Sequence, residues 1–166
     1  TLGGKLRLFI VGAADLDSAI VEDFCAMGIR VLQGYGLTEC SPLLAGNSDF
    51  YFNAKSTGRA IPGVKLKIDN PNSEGIGEIL AKGENIMLGY YKDDDATQKV
   101  FEGGWFHTGD LGRMDEDGAL YITGRSKNVI VTENGKNIYP EELEARLSNF
   151  SEIEDVLVVA SKERGK

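Results

Sequence analysis

Histidine and cysteine are nearly absent from this sequence. His107 stands alone, and Cys25 and Cys40 are the two cysteines among 166 residues. A single histidine excludes a His-rich metal centre. Two cysteines with no CxxC pair supply no disulfide framework and read as free thiols of a reducing cytosol. A basic footprint is also missing. Lys and Arg number 18 against 26 Asp and Glu, for a net charge of -8. That balance argues against nucleic-acid binding and against a polybasic membrane anchor. No run of about 18 apolar residues exists to span a bilayer, and no signal peptide is expected. These absences point to a cytoplasmic location, with peripheral membrane association as the alternative. They leave the oligomeric state open.

Glycine is what the sequence has in excess. Its 21 residues are about twice the usual share. So many glycines imply tight turns and backbone that approaches a ligand closely. Hydrophobic residues at 42% and charged residues at 27% are ordinary for a globular chain with a real core. The opening Thr1-Leu2-Gly3-Gly4 reads as the middle of a loop rather than a natural start.

Residues 6–11 are a short apolar run that predicts a buried strand. Leu16, Ile20, Phe24 and Met27 recur at helical spacing, with Asp15 or Asp17 as cap and Gly28 as stop. Residues 29–32 predict a second strand. Strand–helix–strand is what a parallel α/β sheet needs. After Pro42 the character changes. Strands are expected over 64–68, 76–81, 111–114 and 119–122, with Asp117-Gly118 as a hairpin turn and a short helix over 93–100. This stretch reads as a small antiparallel sheet or barrel. Beyond Gly124, residues 128–131 and 156–160 predict strands, and Pro140 suits the first turn of a helix. The fold class expected is α/β. The end of an α/β sheet (1–50) is followed by a β-barrel-like piece (51–123). A hinge (124–127) leads to the start of an α+β domain (128–166).

Four segments carry candidate chemistry. Gln33-Gly34-Tyr35-Gly36-Leu37-Thr38-Glu39 follows the second predicted strand, at the end of a sheet where α/β proteins bind ligands. Tyr35 offers an aromatic face, Gly36 a bare backbone, Thr38 a hydroxyl, and Glu39 a hard oxygen for magnesium. The plain alternative is a turn with a Thr cap and a solvated Glu. In Gly104-Trp105-Phe106-His107-Thr108-Gly109-Asp110, a carboxylate on a glycine turn can accept from both hydroxyls of a ribose; it can also be an ordinary turn aspartate. His107 is either a base or a positioned histidine. Gly124-Arg125-Ser126-Lys127 sits where composition changes, as a boundary or a solvated basic turn, and Arg125 can meet a ribose or phosphate. Gly12-Ala13-Ala14 ends the first strand with residues small enough for a flat ring to approach, or simply packs.

In that order, the segments closely resemble the adenylate-forming superfamily of acyl-CoA synthetases, luciferases and peptide-synthetase adenylation domains. Tyr35 to Glu39 resembles its nucleotide and magnesium motif. Gly77-Glu78-Ile79 through Gly89-Tyr90-Tyr91 resembles its core structural motif. Trp105 to Gly112 resembles its ribose motif, and Gly124 to Lys127 its hinge. The run from Lys127 to Glu142 is most similar to long-chain fatty acyl-CoA synthetases. The resemblance implies that Tyr35 stacks on adenine and that Gly12, Ala13 and Ala14 line the adenine and acyl pockets. It implies that Thr38 bonds a phosphate and Glu39 holds Mg2+. Asp110 accepts the ribose hydroxyls with Arg125 beside it. Lys127 is the hinge, and the Gly135 loop lines the channel for the CoA arm. The implied ligands are ATP (leaving as AMP), Mg2+, a fatty acid and coenzyme A. A carrier protein as acceptor, or a non-catalytic nucleotide-binding relative, is the alternative.

Three departures qualify the resemblance. The family's Ser/Thr/Gly-rich phosphate loop is absent, and so is its C-terminal lysine. Ala13 stands where many members have glycine. The 166 residues are therefore expected to be an internal piece of an enzyme, inactive alone.

Overall fold

Two apolar runs near the start of the chain lie side by side as parallel strands. The computed structural model describes residues 3–12, 16–148, 150 and 152–161. In it β1 is Leu8–Val11, α1 is Ser18–Ala26 and β2 is Arg30–Gly36. Leu8 pairs with Arg30 and Val11 with Gln33, in parallel. The Asp17 carboxylate caps α1 by accepting from the Ala19 N–H at 2.9 Å. Gly28 ends the helix in the left-handed region, φ 79°, where a Cβ is disfavoured. Asp15, the other candidate cap, lies outside the described residues. The buried face of α1 is narrower than its apolar spacing predicts. Val21 is fully buried, whereas Ile20 and Met27 are exposed, because β1 is the sheet's edge and offers little surface beyond it.

β2 runs on through Gly34, Tyr35 and Gly36. This glycine-rich segment is therefore strand, not a loop after one. A 3-10 turn, Thr38–Cys40, follows, and Ser41 reverses the chain at φ 55°. β3 (Leu43–Gly46) returns antiparallel to β2, and β4 (Arg59–Ala60) pairs with β3. The first sheet has the order β1-β2-β3-β4, so it continues past residue 50.

The next strands are β5 (Lys65–Asp69) and β6 (Gly77–Lys82). The helix α2 (Asp94–Val100) follows, capped by Asp93, which accepts from the Ala96 N–H at 2.9 Å. Then come β7 (Phe101–Glu102), β8 (Trp105–Met114) and β9 (Leu120–Arg125). They form a curled antiparallel sheet, β5-β6-β8-β7, with β9 on β8. β8 begins at Trp105, six residues before the predicted start, so Asp110 lies in a strand rather than on a free turn. The β8–β9 turn is the predicted one. Gly118 has φ 78°, and its N–H donates to the Asp115 carbonyl at 3.0 Å.

The two sheets share one core. Tyr35, Cys40, Leu44 and Ala45 pack with Ile79, Ala81, Phe106 and Leu120. Leu44, Ile79 and Leu120 are fully buried, so truncating any of them to Ala removes about 2–5 kcal/mol.

After β9 a 3-10 turn, Ser126–Asn128, leads to a hairpin of β10 (Ile130–Val131) and β11 (Asn137–Ile138). The predicted 128–131 strand is thus cut to two residues by the turn before it. α3 (Pro140–Leu147) opens with Pro140, and Glu141 and Glu142 lie in its first turn, where the helix dipole favours acid. Residues 156–160 form no strand. Leu157 is 78% and Val159 67% exposed. Among the described residues no strand lies alongside to complete a ladder, and an unpaired strand has no partners for its backbone groups.

Candidate functional site

A buried contact joins the two sheets. Tyr35 of β2 donates its hydroxyl to Asp110 Oδ2 of β8 at 2.8 Å. Arg125, paired in register with Asp110 on β9, places Nε 3.3 Å from Asp110 Oδ1. Asp110 is 6% exposed and Tyr35 9%. Burial raises the Asp110 pKa; the Tyr35 bond and the Arg125 charge pull it down, while Glu141 and Glu39 push it up. Burial, and then the Asp110 charge, lift the Tyr35 phenol far above its usual range. Tyr35 is therefore a fixed donor. A carboxylate has about four acceptor sites, and these two partners leave capacity on Asp110. The Arg125 side chain is 68% exposed, so this contact is made at the surface side of Asp110.

On the β6 side of Asp110, side chains take the place of ladder bonds. The β6–β8 register breaks between Glu78 and Leu80, the kind of bulge that re-aims a strand. Thr108 donates its hydroxyl to the Ile79 carbonyl at 2.7 Å and accepts from the Asp110 N–H at 3.1 Å. Gly109, at φ 73°, donates its N–H to Glu78 Oε1 at 3.0 Å. His107 lies between two carboxylates: Nδ1 is 2.9 Å from Glu78 and Nε2 is 3.7 Å from Glu102. It is a positioned histidine.

The Thr38–Glu39 segment is held just as closely. Gly36 has no room for a side chain, since a Cβ would collide with the Pro42 carbonyl. Thr38 is exposed and Glu39 half-buried. Tyr90 donates its hydroxyl to Glu39 Oε1 at 3.1 Å, and the Met87 N–H donates to the Glu39 carbonyl at 2.7 Å. Burial, helped by Glu39, raises the Tyr90 pKa. The Cys40 thiol is pushed up to about 11, chiefly by burial; it stays protonated and inert. Among the described residues no group of three His, Cys, Asp or Glu can hold a metal by itself. Magnesium commonly takes one or two carboxylates and completes its shell with water and substrate phosphates. Glu39 beside the Thr38 hydroxyl fits that manner of binding.

The remaining candidates lie apart. Gly12 is exposed at the end of β1, and a Cβ there would be 3.8 Å from the Gly34 carbonyl. Ala13 and Ala14 lie outside the described residues. Lys127 is exposed in the 126–128 turn. Gly135 turns the β10–β11 hairpin at φ 75° with open space around it. Glu78, Thr108 and Tyr90 escaped the sequence reading as site residues. All three lay inside quoted motifs, but their partners are 31, 29 and 51 positions away, and no local pattern reports such a contact.

The sequence pattern of the AMP-binding enzyme family matches residues 1–91, more than half of the chain. The chain belongs to this AMP-binding family. The long-chain-fatty-acid–CoA ligase ACSBG1 of Homo sapiens is 42% identical over 141 residues, covering 84% of this chain and 20% of its own length. The long-chain-fatty-acid–CoA ligase FadD15 of Mycobacterium bovis is 38% identical over 158 residues, covering 95% and 26%. The O-succinylbenzoate coenzyme A synthetase of Bacillus subtilis, solved in complex with ATP and magnesium ion, superposes with a TM-score of 0.86. It is 29% identical, covering 96% of this chain and 34% of that one. The chain thus spans roughly a quarter of the curated relatives it matches. Thr38 and Glu39 fall inside the residues matched by the AMP-binding family; Asp110 and Arg125 do not.

Proposed function

We propose that these residues are the central part of an ATP-dependent ligase that activates a long-chain fatty acid as acyl-AMP and passes it to coenzyme A. The observation that carries this reading is the buried Asp110. Its carboxylate is held by Tyr35 at 2.8 Å and by an exposed Arg125, with acceptor capacity left for a diol. The AMP-binding match and the similarity to long-chain ligases support it.

In this reading the fatty carboxylate attacks the α-phosphorus of ATP and pyrophosphate leaves. The CoA thiol then attacks the acyl carbonyl of the mixed anhydride, and AMP leaves. Asp110 accepts the ribose hydroxyls, with the Arg125 guanidinium beside them. Tyr35 and the bare backbone at Gly36 face the purine, with Gly12, Ala13 and Ala14 lining its pocket and the acyl pocket. Thr38 donates its hydroxyl to a phosphate oxygen, and Glu39 is the metal carboxylate. Bound magnesium would neutralise phosphate charge. The Gly135 turn lines the path of the CoA arm. Residues 124–127 are the hinge at which the piece from 128 onward turns between half-reactions. No helix among the described residues is long and apolar enough to cross a membrane, and the location proposed is cytoplasmic or peripheral to a membrane.

The test is AMP release by the whole ligase with ATP, magnesium and a series of fatty acids, with and without CoA. CoA-dependent release with long acids is expected. Pyrophosphate release without CoA-dependent turnover would instead indicate a carrier-protein acceptor. Absence of turnover with every acid would favour a non-catalytic nucleotide binder. Lys127→Pro should spare adenylate formation and slow thioester formation, because it stiffens the hinge; single-turnover rates that fall equally for both steps would remove Lys127 from that role.

A further inference from the structure

We infer that Glu78 is a positioning residue for the nucleotide site, holding the β8 bulge so that Asp110 faces a ribose. This rests on the reading of Asp110 as the ribose carboxylate.

Asp110 keeps its ladder partner Arg125 on β9 and meets Tyr35 of the other sheet through its side chain. The bulge that turns it has lost its regular ladder between Glu78 and Leu80. A backbone N–H turned from solvent needs an acceptor, and the partly buried Gly109, in the left-handed region, lies where the β6 ladder is interrupted. Glu78 supplies the substitute: Oε1 accepts from the Gly109 N–H at 3.0 Å. The same carboxylate is fixed from its other side by His107 Nδ1, 2.9 Å from Oε2. A carboxylate only accepts, so His107 donates from Nδ1, and Glu102 lies 3.7 Å beyond Nε2. Thr108 completes the clamp through the Ile79 carbonyl and the Asp110 N–H. Residues 107, 108 and 109 are thus all tied to two consecutive residues of β6. Glu78 makes two of those ties and has no hydrogen bond or ion pair with Asp110. Its effect must pass through the backbone, and it should be felt by a ligand through the ribose.

The experiment compares dissociation constants of ATP and 2′,3′-dideoxy-ATP, which lacks the diol, in the whole ligase. In wild type the dideoxy nucleotide should bind more weakly, and Asp110→Ala should bring the two together. Glu78→Ala should shrink the preference roughly tenfold, the size of one lost charge-assisted contact, while leaving dideoxy-ATP binding unchanged. Glu78→Gln keeps an acceptor oxygen for Gly109 and should restore the preference. If Glu78→Ala fails to fold, Glu78→Asp decides, because its carboxylate is one methylene short; an intermediate preference is expected. A wild-type preference in Glu78→Ala or Glu78→Asp, or equal weakening of both nucleotides, would overturn the positioning role while Asp110 kept its own. If Asp110→Ala retains the wild-type preference, the ribose reading itself fails and the Glu78 role falls with it.

Discussion

Asp110 within β8 and Asp115 just past its end are five residues apart, and the fold treats them in opposite ways. Asp115 sits at the surface in the hairpin turn. It accepts from the Ala119 N–H at 2.9 Å and from the Tyr121 hydroxyl at 3.0 Å. These bonds, the backbone one first, lower its pKa. Its charge is welcome, and it closes a turn. Asp110 is buried, its pKa is raised, and its partners are a side-chain hydroxyl and an exposed guanidinium. Its charge is a cost to the fold. A buried charge of this kind is what the proposed ribose role asks for, whereas a charge that caps a turn serves the fold.

The largest effect expected is at Gly36. Gly36→Ala drives a Cβ into the Pro42 carbonyl and the Leu43 backbone. It should cost more than about 3 kcal/mol in a urea-unfolding measurement. A cost below about 1 kcal/mol would mean that the site end has slack after all.

Asp110→Asn comes next, and it should separate function from stability. Nucleotide affinity should fall by about 1.5–3 kcal/mol in a titration. Stability should hold or rise at pH 8, because the amide keeps an acceptor for Tyr35 without the buried charge. The sign follows from the raised pKa. A carboxyl that binds its proton more readily when folded adds stability at low pH and loses it as pH rises through the folded pKa. The advantage of Asn over Asp should therefore shrink as pH falls. Thermal midpoints across pH test this, and an advantage that grows on acidification would contradict it.

The hairpin end should respond in stability alone. Gly118 holds φ 78° with nothing within 4 Å of a Cβ, so Gly118→Ala should cost about 1–2 kcal/mol from backbone conformation and leave ATP affinity untouched. A change in ATP affinity would erase the contrast between the two ends. Asp115→Asn should have the smallest effect, and its pH dependence should run the other way. The lowered pKa gives stability above the unfolded value that is lost as pH falls through the folded one. Melting curves of variant and wild type should converge in acid; a gap that persists there would assign the turn to something other than the charge.

Much of the fold was legible where the signal is local. The β1–α1–β2 unit followed from two apolar runs, a capping Asp17 and a stopping Gly28. Asp93, Asp117-Gly118 and Pro140 each marked the element they begin or turn. β3 and β4 were not legible. One follows a proline and the other has two residues, and their pairing is decided by neighbours distant in sequence. The start of β8 was missed because Gly104 before Trp105 and Gly109 before Asp110 read as loop, whereas β6 supplies a partner for the segment. The site divides in the same way. Tyr35, Glu39, Asp110 and Arg125 stood out by residue type and motif. That Tyr35 meets Asp110 across 75 positions, or that Glu78 holds Gly109, is a property of two sheets brought together, which no periodicity encodes.

The core drawn from both sheets has a thermodynamic meaning. Leu44 on one side and Ile79 and Leu120 on the other are buried against common neighbours, so neither sheet can open without exposing the other's apolar face. The two should melt as one cooperative unit. The Tyr35–Asp110 bond crosses the seam between them, so the two residues keep facing each other until the core itself opens.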